Sequence, residues 1–161
     1  YKRQIYKLPI PPSPNLPNSK AVNLYPSLCL FEGTNVSVGR GTNPQFQIYG
    51  SPNLNKKTNK FYFTPKKNIG SKYPKNENKI CYGKDLRSEK ILNEINLNYV
   101  IEAYNESSDK TNFFNSYFIK LSGDKNLKNN IVSGKSSDEI KKEWTKGINK
   151  FKKIRKKYFL Y

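Results

Sequence analysis

The sequence predicts an α+β domain, with a small antiparallel or mixed sheet in its N-terminal half and helices in its C-terminal half. Two observations predict it. Residues 45 to 86 hold three short apolar runs of strand length, separated by polar gaps. Beyond Asn96 the apolar residues recur at helical spacing, and the last helix opens on a capping box, Ser136-Ser137-Asp138-Glu139. Strands first and helices after is the order of that class. The length of 161 residues suits a single domain over 1–161.

The elements follow in order. Pro9, Pro11, Pro12, Pro14 and Pro17 rule out a regular helix over residues 1–18 and predict an extended segment packed along a surface. Ser19 to Leu24 suits a short helix that Pro26 ends, and the apolar run Leu28 to Phe31 reads as a buried strand. Gln45 to Gly50, Lys60 to Thr64 and Ile80 to Leu86 read as strands, with a Lys-, Asn-, Pro- and Gly-rich loop over 66–78. Leu97, Val100, Ile101 and Tyr104 then fall at helical spacing. So do Phe113, Phe114, Tyr117, Phe118 and Leu121, with Gly123 as the stop. Leu127 and Ile131 continue the pattern up to Gly134. The capped helix carries Ile140, Trp144, Ile148, Phe151, Ile154 and Tyr158 on one face and lysines on the other. That stripe places Trp144 in the core, and the apolar terminus Tyr158-Phe159-Leu160-Tyr161 is expected to tuck against something.

Composition narrows the chemistry. The chain has no His, so Ser-His and Cys-His nucleophilic catalysis is excluded within it, and acid–base work falls to Glu, Asp, Tyr or Lys. With two cysteines, Cys29 and Cys81, and no C-x-x-C spacing, no zinc site or other cofactor is expected. The two cysteines fit one disulfide or two buried thiols. No apolar run approaches the roughly 18 residues of a membrane helix. The net charge of +18 fits a polyanion partner. It fits better an AT-rich genome, which inflates Lys and Asn together. Only Arg3, Arg40, Arg87 and Arg155 carry the fork that nucleic-acid readers favour, which argues against nucleic acid.

The most informative segment is residues 26–46, PSLCLFEGTNVSVGRGTNPQF. It delivers Glu32 into a loop holding Gly33, Thr34, Asn35, Ser37, Gly39, Arg40, Gly41 and Thr42. Glycines let backbone approach a ligand closely. The spacing is not that of a phosphate-binding loop. Glu32 suits an acid–base carboxylate, an acceptor for a ligand's hydrogen bonds, or a cap on its own loop. Arg40 suits a carboxylate reader or a partner that holds Glu32. Thr34, Asn35 and Ser37 suit polar lining or loop ties. Asn15 would fix the Pro-rich segment against this loop.

These motifs resemble a known family. P-P-S-P-N at Pro11 to Asn15, Y-P-x-x-C-L-F-E-G-T-N at Tyr25 to Asn35 and G-R-G-T at Gly39 to Thr42 are similar to the exo-β-N-acetylmuramidases of NamZ type. Further matches are F-T-P at Phe63, C-x-G at Cys81, F-F-x-x-Y-F-x-K-L-x-G at Phe113, I-x-x-G at Ile131, Trp144 and the R-K-K-Y-x-L-Y tail. The resemblance covers essentially the whole chain. It implies a bacterial, periplasmic or secreted glycoside hydrolase that releases terminal N-acetylmuramic acid from non-reducing ends of peptidoglycan glycans or muropeptides. It also implies that this chain is the C-terminal domain, one wall of a cleft, with an N-terminal Rossmann-like domain absent from it. Glu32 is then the candidate catalytic residue. Arg40, Asn35, Thr34, Ser37, Asn15 and Tyr73 are the candidate substrate-binding residues. Tyr73 stands where members of the family often carry a His. The alternative is a basic module binding nucleic acid or an anionic wall polymer, supported by the interleaving of Lys with aromatics.

Overall fold

The computed structural model describes residues 8–159. Helix α1 (Ser19–Leu28) opens on Asn18, whose side-chain oxygen accepts from the Ala21 N–H at 2.9 Å. It does not stop at Pro26 but runs through it. The run expected to be a strand is instead the end of α1 followed by a 3-10 turn over Cys29–Gly33. Ala21, Leu24, Leu28 and Phe31 explain both corrections. They recur at helical spacing and all are fully buried, so one apolar face outweighs the donor that Pro26 lacks.

Strands β1 (Ile48–Ser51), β2 (Phe61–Phe63) and β3 (Cys81–Asp85) form one antiparallel sheet in the order β1-β3-β2. The register pairs Gly50 with Gly83 and Tyr62 with Tyr82. Helices α2 (Asn98–Glu106), α3 (Tyr117–Ser122), α4 (Leu127–Val132) and α5 (Ser137–Lys156) complete the α+β order. Helix α3 starts later than the apolar spacing suggests. Phe113 and Phe114 lie before it, in a segment paired with the 3-10 turn: the Asn35 N–H donates to the Phe113 carbonyl at 2.9 Å and the Asn115 N–H to that of Gly33 at 3.0 Å. The capping box of α5 is present in both directions, Glu139 N–H to Ser136 Oγ and Ser136 N–H to Glu139 Oε2.

One core joins both halves. Phe31 stacks on Tyr49 with centroids 4.7 Å apart, and Phe113, Phe118, Val100, Ile131 and Ile140 close over them from the helical side. Cys29 and Cys81 are both free thiols. Trp144 sits at the core's edge, partly buried, with its indole N–H donating to Asp124. Beyond it the apolar stripe of α5 leaves the core; Tyr158 is exposed rather than tucked in, and Phe159, 45% exposed, has the Arg155 guanidinium 4.9 Å from its ring. Leu160 and Tyr161, like residues 1–7 of the Pro-rich segment, lie outside the described residues.

Candidate functional site

The site is built on the 3-10 turn. Gly33 ends it where α3 crosses: a Cβ there would stand 2.4 Å from the Phe118 Cα, so only glycine admits the helix this close. After the turn the chain is locked by its own polar groups. The Thr34 hydroxyl donates to the Phe31 carbonyl and accepts from the Val36 N–H. Ser37 exchanges two backbone hydrogen bonds with Gly50, and its hydroxyl accepts from the Gly39 N–H. Gly39 and Gly41 then take left-handed φ values of 76° and 81°, which suits glycine and turns Arg40 back toward Glu32.

Arg40 grips Glu32 from one side. Its Nε and Nη2 lie 2.8 and 2.7 Å from the same oxygen, Oε1. Among the described residues Oε2 takes no hydrogen bond. The guanidinium rests on the Phe46 ring at 5.0 Å, and Tyr25 packs on the same ring. Both members of the pair are partly open, 34% for the Arg40 side chain and 26% for that of Glu32. Burial, with the Glu32 carboxylate as the next cause, raises the Tyr25 phenol.

An open groove of about 200 Å³ lies beside the pair, lined by Glu32, Val36, Ser37, Val38, Arg40, Tyr73 and Lys75. The structure therefore brings Glu32, Arg40, Ser37 and Tyr73 together. Thr34 is buried in its loop tie. The Asn35 amide is buried with no partner among the described residues, while its backbone carbonyl accepts from Asn76 at 3.0 Å. Asn15 reaches the 66–78 loop, donating to the Gly70 carbonyl at 2.7 Å, rather than the loop that holds Glu32.

Lys75 is the groove residue that sequence reasoning missed. Its ammonium reaches the carbonyls of Phe31 at 2.9 Å, Glu32 at 3.5 Å, Val36 at 3.2 Å and Thr34, capping the inside of the turn. Burial pushes it down to about 8; the Glu32 carboxylate opposes that shift and Arg40 reinforces it. Nothing in a Lys-rich loop marks one lysine out. Its neighbours clamp the same loop: the Lys66 N–H donates to the Gly41 carbonyl at 2.9 Å, and Pro74 packs where a Gly41 Cβ would be.

The groove offers one carboxylate with an open oxygen, a guanidinium, a phenol and an apolar floor of Val36 and Val38. Its lining includes no second carboxylate. Among the described residues no three His, Cys, Asp or Glu side chains come together as metal ligands.

Comparison with known proteins places the chain in one family. The chain is 28% identical, over 93% of its length, to the peptidoglycan β-N-acetylmuramidase NamZ of Bacillus subtilis, and spans 40% of that relative. A solved DUF1343 family protein from Bacteroides fragilis superposes with a TM-score of 0.90 at 46% identity, covering 99% of this chain and 46% of that one. A second protein of that family and organism shares the fold at 20% identity and a TM-score of 0.65, over 94% of this chain and 45% of that one. The chain thus spans less than half the length of each. The profile described as exo-β-N-acetylmuramidase NamZ, C-terminal, matches residues 23–161, and the chain belongs to that family.

Proposed function

We propose that this chain supplies one wall of a glycan cleft in a glycoside hydrolase that frees N-acetylmuramic acid from the non-reducing ends of peptidoglycan strands outside the cytoplasm. The observation that carries the reading is the open groove beside the Glu32–Arg40 pair. It is smaller than the roughly 300 Å³ at which complete small-molecule pockets begin. It also holds one carboxylate where glycoside hydrolysis generally uses two flanking the scissile bond. Both facts suit half a site. The other wall, and with it the second carboxylate, belongs to the further polypeptide that the longer relatives possess. Glu32 positions or polarises the sugar, and Arg40 holds Glu32 while its remaining N–H donors face the lactyl carboxylate that distinguishes muramic acid from glucosamine. Tyr73 forms the open edge over which the ring enters.

The test is release of N-acetylmuramic acid from peptidoglycan glycans, measured for this chain alone and for the chain joined to its preceding polypeptide. Only the longer form is expected to act, and Glu32→Gln within it is expected to slow release by roughly a hundredfold. Full activity of the isolated chain, or an unchanged rate in the variant, contradicts the reading.

A further inference from the structure

The second half of α5 overhangs the domain as an arm. Ile140 is fully buried and Trp144 partly so, but every described residue from Thr145 to Phe159 is exposed, those on the inner side included. The apolar stripe does not stop where the core does. Ile148, Phe151, Ile154 and Tyr158 continue the face of Ile140 and Trp144, at 45%, 60%, 49% and 68% exposure. At 3.6 residues per turn they run along about 15 Å of helix, on the side where the body of the domain stands. Arm and body thus enclose an angle, and its wall on the arm is apolar and bare among the described residues. Gly147 lies on the same stripe, and nothing comes within 4 Å of where its Cβ would be. A glycine inside a helix weakens it, and here it leaves a notch that a partner's side chain can fill. Lysine brackets the stripe, with Lys150 and Lys157 on one edge and Lys152 on the other, and the sequence has no acid after Glu143.

We infer that the stripe is a docking seat for the further polypeptide of the same protein, whose own patch is apolar at its centre and acidic at its edges. The inference rests on the reading above, in which this chain is one part of a longer glycosidase. The stripe faces into the angle between arm and body. A flat surface cannot reach it past the body, whereas a folded unit fits there. A second copy laid along the stripe would set lysine against lysine on both edges, with no acid to answer them. The solved relative at 46% identity superposes over 99% of this chain, the arm included, yet this chain covers only 46% of it. The profile of the family likewise runs to residue 161. The arm is therefore shared with a relative that carries more polypeptide outside this domain than within it. An apolar centre inside a charged rim is also the usual make-up of an interface between folded units.

The test is hydrogen exchange of the amides from Ile148 to Tyr158, read by mass spectrometry, in this chain alone and in the chain joined to its preceding polypeptide. Exchange is expected to be fast in the isolated chain and slower by roughly tenfold or more in the longer form. The double variant Phe151→Gln, Ile154→Gln is expected to restore the fast rate in the longer form. Glutamine is a good helix former and both positions are exposed, so α5 itself persists, which circular dichroism of the isolated variant verifies. Equal rates in the isolated and longer forms overturn the proposal. So does slow exchange that survives the double variant in the longer form. Slow exchange in the isolated chain that strengthens with its concentration overturns it too, since a second copy then covers the stripe, as does slowing that appears only when phosphatidylglycerol vesicles are added. The readout needs no turnover. A longer form that protects the stripe and releases no N-acetylmuramic acid contradicts the glycosidase reading alone; one that releases it while the stripe exchanges fast contradicts the docking alone.

Discussion

At the scale of single residues, Lys75 carries more of the site than any side chain in the glycine loop. A buried ammonium is costly, and here the cost is offset by the carbonyls of Glu32, Thr34 and Val36, which take no other hydrogen bond among the described residues. Replacing it with Met keeps the volume and orphans those carbonyls, and is expected to destabilise the fold by roughly 2–4 kcal/mol. The loss has a pH signature. Lys75 goes from 10.5 unfolded to about 8 folded. Below pH 8 both states hold the proton and the burial cost is fully present. Between pH 8 and 10.5 the unfolded chain keeps a proton that the folded chain has released, so the site's contribution to stability rises with pH. The buried Cys81 thiol, pushed up from 9.0 to about 12, acts in the opposite sense, because the folded state then holds the extra proton. Urea midpoints for wild type and Lys75→Met at pH 7.5 and pH 10 separate the two. The gap between the proteins widens with pH if Lys75 titrates as described, and stays constant if it does not. None of this is legible in the sequence, where Lys75 is one lysine among many and its partners lie some forty residues away.

At the scale of elements, local pattern was a good guide where one pattern acted alone. The capping box of α5 and the three strands were readable because turn residues and alternation agreed. Reading failed where two rules competed. Pro26 reads as a helix end, and a run of four apolar residues reads as a strand, yet the face of Ala21, Leu24, Leu28 and Phe31 makes both part of a helix and its closing turn. Phe113 and Phe114 sit at helical spacing but spend it on packing against the Glu32 turn. Contact at that turn is one of the links between the two halves of the chain. Gly33→Ala drives a methyl into the Phe118 backbone and is expected to cost roughly 1–3 kcal/mol. Amide exchange would show it as lost protection concentrated in α3 and residues 31–36; protection equal to wild type would mean that α3 does not brace the site.

At the scale of the whole molecule, the charge of +18 is spread across the surface and gathers most densely on the overhanging half of α5, away from the groove residues in sequence. Glu32 and Arg40 were legible as candidates because a glycine-rich turn with one carboxylate and one guanidinium is unusual in so Lys-rich a chain. That they face each other across Oε1, with Tyr73 brought from a separate loop, depends on tertiary folding that spacing does not encode. The domain has its own core and spans less than half of the length of its relatives. We expect this groove to receive a muramic acid residue. A nitrogen-15 NMR titration of the chain tests it most directly, with N-acetylmuramic acid and N-acetylglucosamine compared. Shifts are expected at the Arg40 side-chain N–H and at the amides of Glu32, Val38 and Tyr73, larger for the muramic acid. Equal shifts for both sugars, or shifts confined to other surfaces, would contradict it.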